Sequence, residues 1–217
     1  MVSPLHTDDG IVILFVGPSG AGKDTLSEKL MGKDPRVKFM VTATTRDPRP
    51  NEVDGVNYYF LTKEDFEKKL DQDDFLEWNR YHGNYYGALK EEVHKKLQAG
   101  LDPHTDITWS GARAMRDYLK ERVVTFLILP PSLEELDNRM AKRRQSTGED
   151  SENHKIRTQK IREDMMHWHK KDYVFTNEDM TGSQLIDYDY VIINDDLDTA
   201  LYDIQCAIHA ERLKRRV

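Results

Sequence analysis

Cysteine is nearly missing from this chain of 217 residues: Cys206 stands alone. That excludes an intramolecular disulfide and any cysteine-rich zinc site. Set among helix formers, Cys206 reads as a buried structural thiol, because a free cysteine packs like a small hydrophobe. Long apolar runs are missing too. The longest, residues 11–16, falls far short of the ~20 residues a bilayer span needs. The residues before it carry neither a basic n-region nor a small-residue cleavage site, so the expectation is a cytoplasmic protein that engages no membrane. An excess of basic charge is also absent, since 32 lysines and arginines against 39 aspartates and glutamates leave a net charge of −7. This argues against a nucleic-acid partner, whose footprint is a basic face, and leaves room for a local basic pocket.

What is present reads as an α/β protein, with strands and helices alternating in parallel βαβ units. Residues 1–10 are polar and without period, a flexible tail. Residues 11–16 are a continuous, β-branched-rich run that suits a strand buried on both faces, and residues 123–129 repeat that signal. Further strands are expected at 37–41, 58–60, 75–81 and 188–194, with a turn at 83–87. Helices are expected at 23–31, 62–71, 89–99, from Ser132 onward and at 197–215, the second and fourth being opened by capping boxes at Thr62 and Ser132. Gly100 is a plausible helix stop. The basic run at 212–216 suits a helix C-terminus. Residues 139–171 are charged and weakly amphipathic, an exposed helical segment. Trp78 and Trp109 read as core. His167-Trp-His169 would point its rings apart on a helix, with no third ligand evident, so zinc is disfavoured. The strings at 171–179 and 188–196 resemble each other, the first copy reading as an insertion.

Gly17-Pro-Ser-Gly-Ala-Gly-Lys23 directly follows the first strand and opens a helix. Glycines at these positions let backbone N–H groups converge on a phosphate, the helix N-terminus adds partial positive charge, and Lys23 can reach terminal phosphates. The next residue is Asp24, where this motif usually carries a Mg²⁺-binding hydroxyl. A carboxylate is still a good ligand for a hard cation. After the second strand, Arg46 and Arg49 place two guanidinium forks on one loop, a pattern suited to bidentate phosphate binding. Tyr58, Glu77 and the string Gly83-Asn-Tyr-Tyr-Gly87 add hydroxyl donors and a carboxylate acceptor.

Together these residues resemble the guanylate kinases. The resemblance rests on 17–23, Thr44-Thr-Arg-Asp-Pro-Arg49, Glu52-Val-Asp-Gly-Val-Asn-Tyr58, Phe75-Leu-Glu-Trp78, 83–87, Ile128-Leu-Pro-Pro-Ser-Leu-Glu-Glu135 and Asn194-Asp-Asp-Leu197, and it spans about 11–213. It implies one domain at 11–217: a P-loop parallel-sheet core (11–35, 89–138, 172–217), a nucleoside-monophosphate-binding subdomain (36–88) and a helical lid (139–171). It also implies transfer of the γ-phosphoryl group of MgATP to GMP or dGMP. Gly17, Ser19, Gly20, Ala21, Gly22, Lys23, Asp24, Thr25 and Asn194 would then hold ATP, with Mg²⁺ at Asp24. Arg46, Arg49, Tyr58 and Tyr86 would hold the GMP phosphate, while Thr42, Glu77 and Asp106 would serve the base side. Lys23, Arg46, Arg143 and Arg157 would act on the transferring group, with Arg139 a further candidate. A homodimer is compatible with this reading.

The departures cluster on base reading and metal. Ala88 replaces a serine, Thr108 replaces an acid, and Asp102-Pro-His-Thr105 replaces an apolar central strand, a poor place for proline. A kinase for another small phosphorylated acceptor such as ribose 1,5-bisphosphate, whose family shares the Gly-Lys-Asp string, stays open. So does a non-catalytic guanylate-kinase-like binding module.

Overall fold

The computed structural model describes residues 10–81, 83–147 and 188–214, with the backbone alone for Tyr81 and 143–147. Its centre is β1 (Val12–Val16), buried at every position. Successive side chains of a strand point to opposite faces, and both faces are covered. Ile13 and Phe15 pack with Leu26 and Leu30 of α1 (Lys23–Lys33) and with Ile204 and Ile208 of the last helix, α6 (Leu197–Lys214). Val12, Leu14 and Val16 pack with Val93 and Leu97 of α3 (Lys90–Gln98) and with Ala112 and Met115 of α4 (Trp109–Leu119). A strand sandwiched in this way must be apolar throughout, which is why it is legible as a continuous run.

β1 lies third in a five-stranded parallel sheet ordered β2-β7-β1-β8-β9, built with β2 (Val37–Phe39), β7 (Asp102–Asp106), β8 (Val123–Leu129) and β9 (Tyr190–Ile193). A second, four-stranded sheet is ordered β4-β3-β6-β5, from β3 (Thr42–Thr44), β4 (Tyr58–Phe60), β5 (Phe75–Tyr81) and β6 (Asn84–Leu89). It carries α2 (Lys63–Asp71), capped as expected by Thr62 accepting from Asp65 N–H at 3.1 Å. Phe66 of that helix stacks between Phe75 and Tyr85 of the sheet.

The structure departs from the sequence reading at several points. The strand expected at 37–41 breaks in two. Met40 N–H still bonds His104 C=O at 2.8 Å, but Val41 N–H turns to the carboxylate of Glu92 at 3.2 Å, so the chain leaves the core sheet and begins the second one. Residues 83–87 are mostly strand rather than turn. Only Gly83 turns, at φ 84°, and Gly87 matters for packing, since a Cβ there would sit 2.7 Å from Phe75 Cδ1.

Asp102-Pro-His-Thr-Asp106 does form a central strand. The β1–β7 ladder begins at Ile13 and His104, so the missing N–H of Pro103 falls just outside it. The buried polar groups of that strand are all bonded. Asp102 accepts from Ile11 N–H at 2.8 Å and pairs with Arg212, while His104 bonds Ile13 C=O at 3.0 Å and Ser27 Oγ at 2.7 Å. Arg212 stands in the last turn of its helix, as expected for the basic run, and is also a half-buried ion-pair partner of Asp102 and Asp34.

Cys206 is exposed, because the buried stripe of α6 runs through Leu201, Ile204 and Ile208 and misses it. Trp78 is half exposed, at 51%, on the outer face of β5. Residues 148–187, including Arg157, the His-x-His string and the first copy of the repeat, lie outside the described residues.

Candidate functional site

In an open parallel sheet, ligands gather beyond the carboxyl ends of the strands. Three functional strings meet there: the phosphate loop after β1, Asp106 at the end of β7, and Asn194 after β9. The loop closes tightly on the sheet. Gly17, at φ 146°, lies where a Cβ would come within 2.1 Å of Ile128 C=O, and Gly22, at φ 94°, where one would meet Asn194 Nδ2 at 2.3 Å. Side chains are excluded at both places by backbone conformation and by space.

The rear of the loop is held by two residues. Asn194 is buried and donates from Nδ2 to Ala21 C=O at 2.8 Å, its own N–H bonding Leu129 C=O at 2.7 Å. Arg139 donates to Asn194 C=O at 3.0 Å, to Ala21 C=O at 3.5 Å and to Glu135 at 2.8 Å. Arg139 therefore braces the loop from behind, whereas the sequence reading grouped it with the lid arginines. Lys23 Nζ bonds Gly17 C=O at 2.9 Å and Pro18 C=O at 3.1 Å. Asp24 and Thr25 open α1 and are exposed. The cleft walls partly desolvate the Asp106 carboxyl and raise its pKa, the charge of Lys23 pulls it down, and the charge of Asp24 pushes it up. Both carboxylates thus share one electrostatic environment with the lysine.

The second sheet assembles the other half. Arg46 lies over the rings of Tyr58 at 5.4 Å and Phe60 at 5.8 Å, and Tyr58 meets Tyr86 edge-on at 6.2 Å. The pairing of Thr42 with Tyr58 and of Thr44 with Tyr86 fixes this arrangement. Glu52 binds Arg46 through both of its oxygens, at 2.9 Å each. The sequence quoted Glu52 within a motif without assigning it a role, although an acid three residues after Arg49 was the signal available. Arg49 is exposed and forms no ion pair among the described residues.

Glu77 completes the set. It lies on β5 opposite Ala88 of β6 and against the start of α4, where a Cβ on Gly111 would lie 3.1 Å from its Oε2. Burial raises its pKa to about 7. The side chain is half-buried, and no hydrogen bond reaches its carboxylate among the described residues. Ala88, opposite it, is apolar, while Thr108 Oγ1 caps α4, accepting Gly111 N–H at 3.2 Å, and shares a hydrogen bond with Ser110 Oγ at 3.1 Å.

The family model described as guanylate kinase matches residues 10–184. A guanylate kinase of Maricaulis maris is 41% identical over 206 residues, which cover 95% of this chain and 85% of that protein. The chain belongs to the guanylate kinase family. A guanylate kinase of Agrobacterium fabrum is 39% identical over 95% of this chain and 84% of its own length. The crystal structure of guanylate kinase from Anaplasma phagocytophilum has the same fold, with a TM-score of 0.65 at 24% identity over 94% of this chain and 87% of that one.

The family's departures in this guanylate kinase chain now have local explanations. Thr108 keeps the helix-capping ability of the acid it replaces, since threonine and aspartate both cap well. Ala88 is fully buried and leaves the carboxylate opposite it without a hydroxyl neighbour. Arg143 lies on α5 (Leu133–Thr147), the helix that carries Arg139. Among the described residues, no helix is long and apolar enough to cross a membrane.

Proposed function

We infer that this member of the guanylate kinase family transfers the γ-phosphoryl group of ATP to GMP or dGMP. The observation that carries the reading is Glu77, a half-buried carboxylate to which no hydrogen bond runs among the described residues, on the same sheet as the aromatic and arginine cluster. A guanine edge presents two N–H groups, which a carboxylate can accept together. A sugar-phosphate acceptor has no such pair of N–H groups to offer it, so the purine reading is favoured over ribose 1,5-bisphosphate. The intact phosphate loop with Lys23 favours an enzyme over a binding module.

The residues divide the work. Backbone N–H groups of 17–23 and the start of α1 cradle the ATP phosphates, with Ser19 and Thr25 adding hydroxyls. Arg46, Arg49, Tyr58 and Tyr86 hold the acceptor phosphate, and Thr42 and Glu77 face the base. The acceptor phosphate is itself the nucleophile, so positioning and charge neutralisation do most of the catalysis. Lys23 supplies positive charge at the donor side, joined by Arg143 and Arg157.

Mg²⁺ suits the donor set. Asp24 and Asp106 offer hard oxygen ligands beside the loop, and Mg²⁺ typically takes one or two carboxylates and leaves its other positions to phosphates and water. When bound, it neutralises phosphate charge.

A coupled assay of ADP release across GMP, dGMP, AMP, dTMP and ribose 1,5-bisphosphate tests the reading. GMP or dGMP is expected to be turned over best. Equal or faster turnover of the sugar phosphate refutes the assignment.

A further inference from the structure

We propose that Glu52 is a positioning residue for the acceptor phosphate, selecting which edge of the Arg46 guanidinium faces the substrate and folding the loop that presents Arg49. The inference rests on the acceptor assignment above, and it concerns a residue that touches neither substrate.

The donors can be counted. Arg46 Nη1 bonds Glu52 Oε2 at 2.9 Å and Asp47 C=O at 2.6 Å, while Nη2 bonds Glu52 Oε1 at 2.9 Å. The end of the guanidinium fork is therefore closed by Glu52. What remains is Nε–H and the second hydrogen of Nη2, which lie side by side along one edge of the plane, with the Tyr86 hydroxyl also within reach of the guanidinium. That edge is itself a bidentate donor for a tetrahedral oxyanion. The rings of Tyr58 and Phe60, with centroids 5.4 and 5.8 Å from Cζ, favour this orientation of the cation. Thr44 Oγ1 also accepts Arg46 N–H at 3.2 Å and anchors the stem.

The same carboxylate shapes the loop. Glu52 Oε2 accepts Arg49 N–H at 2.8 Å, and Arg49 C=O accepts Glu52 N–H at 2.9 Å, closing a turn that carries Arg49 outward. A carboxylate in direct contact with a phosphate would repel it, but here Glu52 lies behind Arg46 with its charge matched. The division of labour follows. Arg46, neutralised by Glu52, supplies geometry, and Arg49, exposed and outside any ion pair among the described residues, supplies net charge.

The test is a double-mutant cycle in the full chain, reading kcat and KM for both substrates. Glu52→Gln keeps the length and one acceptor oxygen but sets an NH₂ group against the guanidinium. It is expected to raise the KM for GMP by roughly 10-fold, the scale of one misdirected charge-assisted hydrogen bond, with the KM for ATP unchanged. Glu52→Asp keeps the charge but shortens the reach, and is expected to behave like Glu52→Gln. In an Arg46→Ala background, Glu52→Gln is expected to add less than about twofold, because coupled residues are non-additive. A lower KM for GMP in Glu52→Gln would show that Glu52 competes with the phosphate and would overturn the proposal. So would a penalty of the same size with Arg46 absent, or a Glu52→Asp variant equal to the parent. A parent chain with no GMP-dependent ADP release would instead refute the acceptor assignment, leaving the two failures distinguishable.

Discussion

Replacing Glu77 by glutamine separates what this residue does for binding from what it does to stability. Its carboxyl is raised from 4.5 to about 7 by burial alone. If GMP is bound only by the anion, the apparent KM carries a factor of 1 + 10^(pKa − pH). With a pKa of about 7 this factor is roughly 11 at pH 6 and roughly 1 at pH 8, so the KM for GMP should fall by about tenfold across that range. The GMP phosphate also ionises near pH ~6, so the informative quantity is the ratio of parent to Glu77→Gln, in which the phosphate contribution cancels. Glu77→Gln should show a higher KM at pH 8 and lack the Glu77 part of the pH dependence.

The stability effect has the opposite sign. A carboxyl whose pKa is raised in the fold binds more protons folded than unfolded between pH 4.5 and about 7. Stability therefore declines as pH rises through that window. Glutamine removes the penalty, so Glu77→Gln should be more stable than the parent at pH 8 by on the order of 1–3 kcal/mol, and unfold at a higher temperature, with little difference at pH 4.5. Steady-state kinetics and thermal denaturation across pH 5–8 check both halves. A KM profile for GMP with the same pH dependence in the variant as in the parent would refute the assignment of Glu77 to the base.

Arg49→Ala should raise the KM for GMP by roughly 10–150-fold, the value of a charge-assisted phosphate contact. It should leave the KM for ATP and the melting temperature unchanged, as measured by kinetics and denaturation. Asp24→Asn should weaken Mg²⁺-dependent binding of ADP, seen by calorimetry as a higher Mg²⁺ requirement. Tighter binding in the variant at any Mg²⁺ level would show that Asp24 merely repels phosphate. Ala88→Ser places a hydroxyl beside Glu77 and should improve the GMP-over-AMP ratio of kcat/KM by roughly 2–13-fold, the value of one hydrogen bond. His104, fully buried, is held at about 4 against an ordinary 6.5. The unfolded chain thus takes up the extra proton between those values, and stability falls as pH drops through the window, by on the order of 3 kcal/mol. His104→Gln should flatten that acid limb in a pH series of denaturant unfolding curves.

Local chemistry was legible where a single stretch of chain contains the whole reason for its shape. The run at β1 is apolar throughout because both its faces are covered, and Gly17-Pro-Ser-Gly-Ala-Gly-Lys23 follows it because a phosphate loop needs bare backbone at a strand end. Thr62 and Ser132 declared their helices because a cap bonds an N–H three residues away, and Ser132 does so to Glu135 at 3.1 Å. The acceptor residues were legible as a set because their order and spacing resemble a family, each one being weak evidence alone.

Tertiary structure decided everything whose cause lies far away in sequence. Asp102-Pro-His-Thr105 has the composition of a loop, yet it is a central strand. Its buried polar groups are satisfied by Ile11, Ile13, Ser27 and Arg212, the last 110 residues distant. Cys206 and Trp78 both stand in segments that could bury them, and which face was covered depended on how α6 and β5 packed. The break at Met40 and Val41 depended on Glu92, 51 residues on. The state of Glu77 is the same kind of fact. A glutamate in a strand carries no sign of its protonation, because its pKa is set by how much solvent the start of α4 and β6 remove from it.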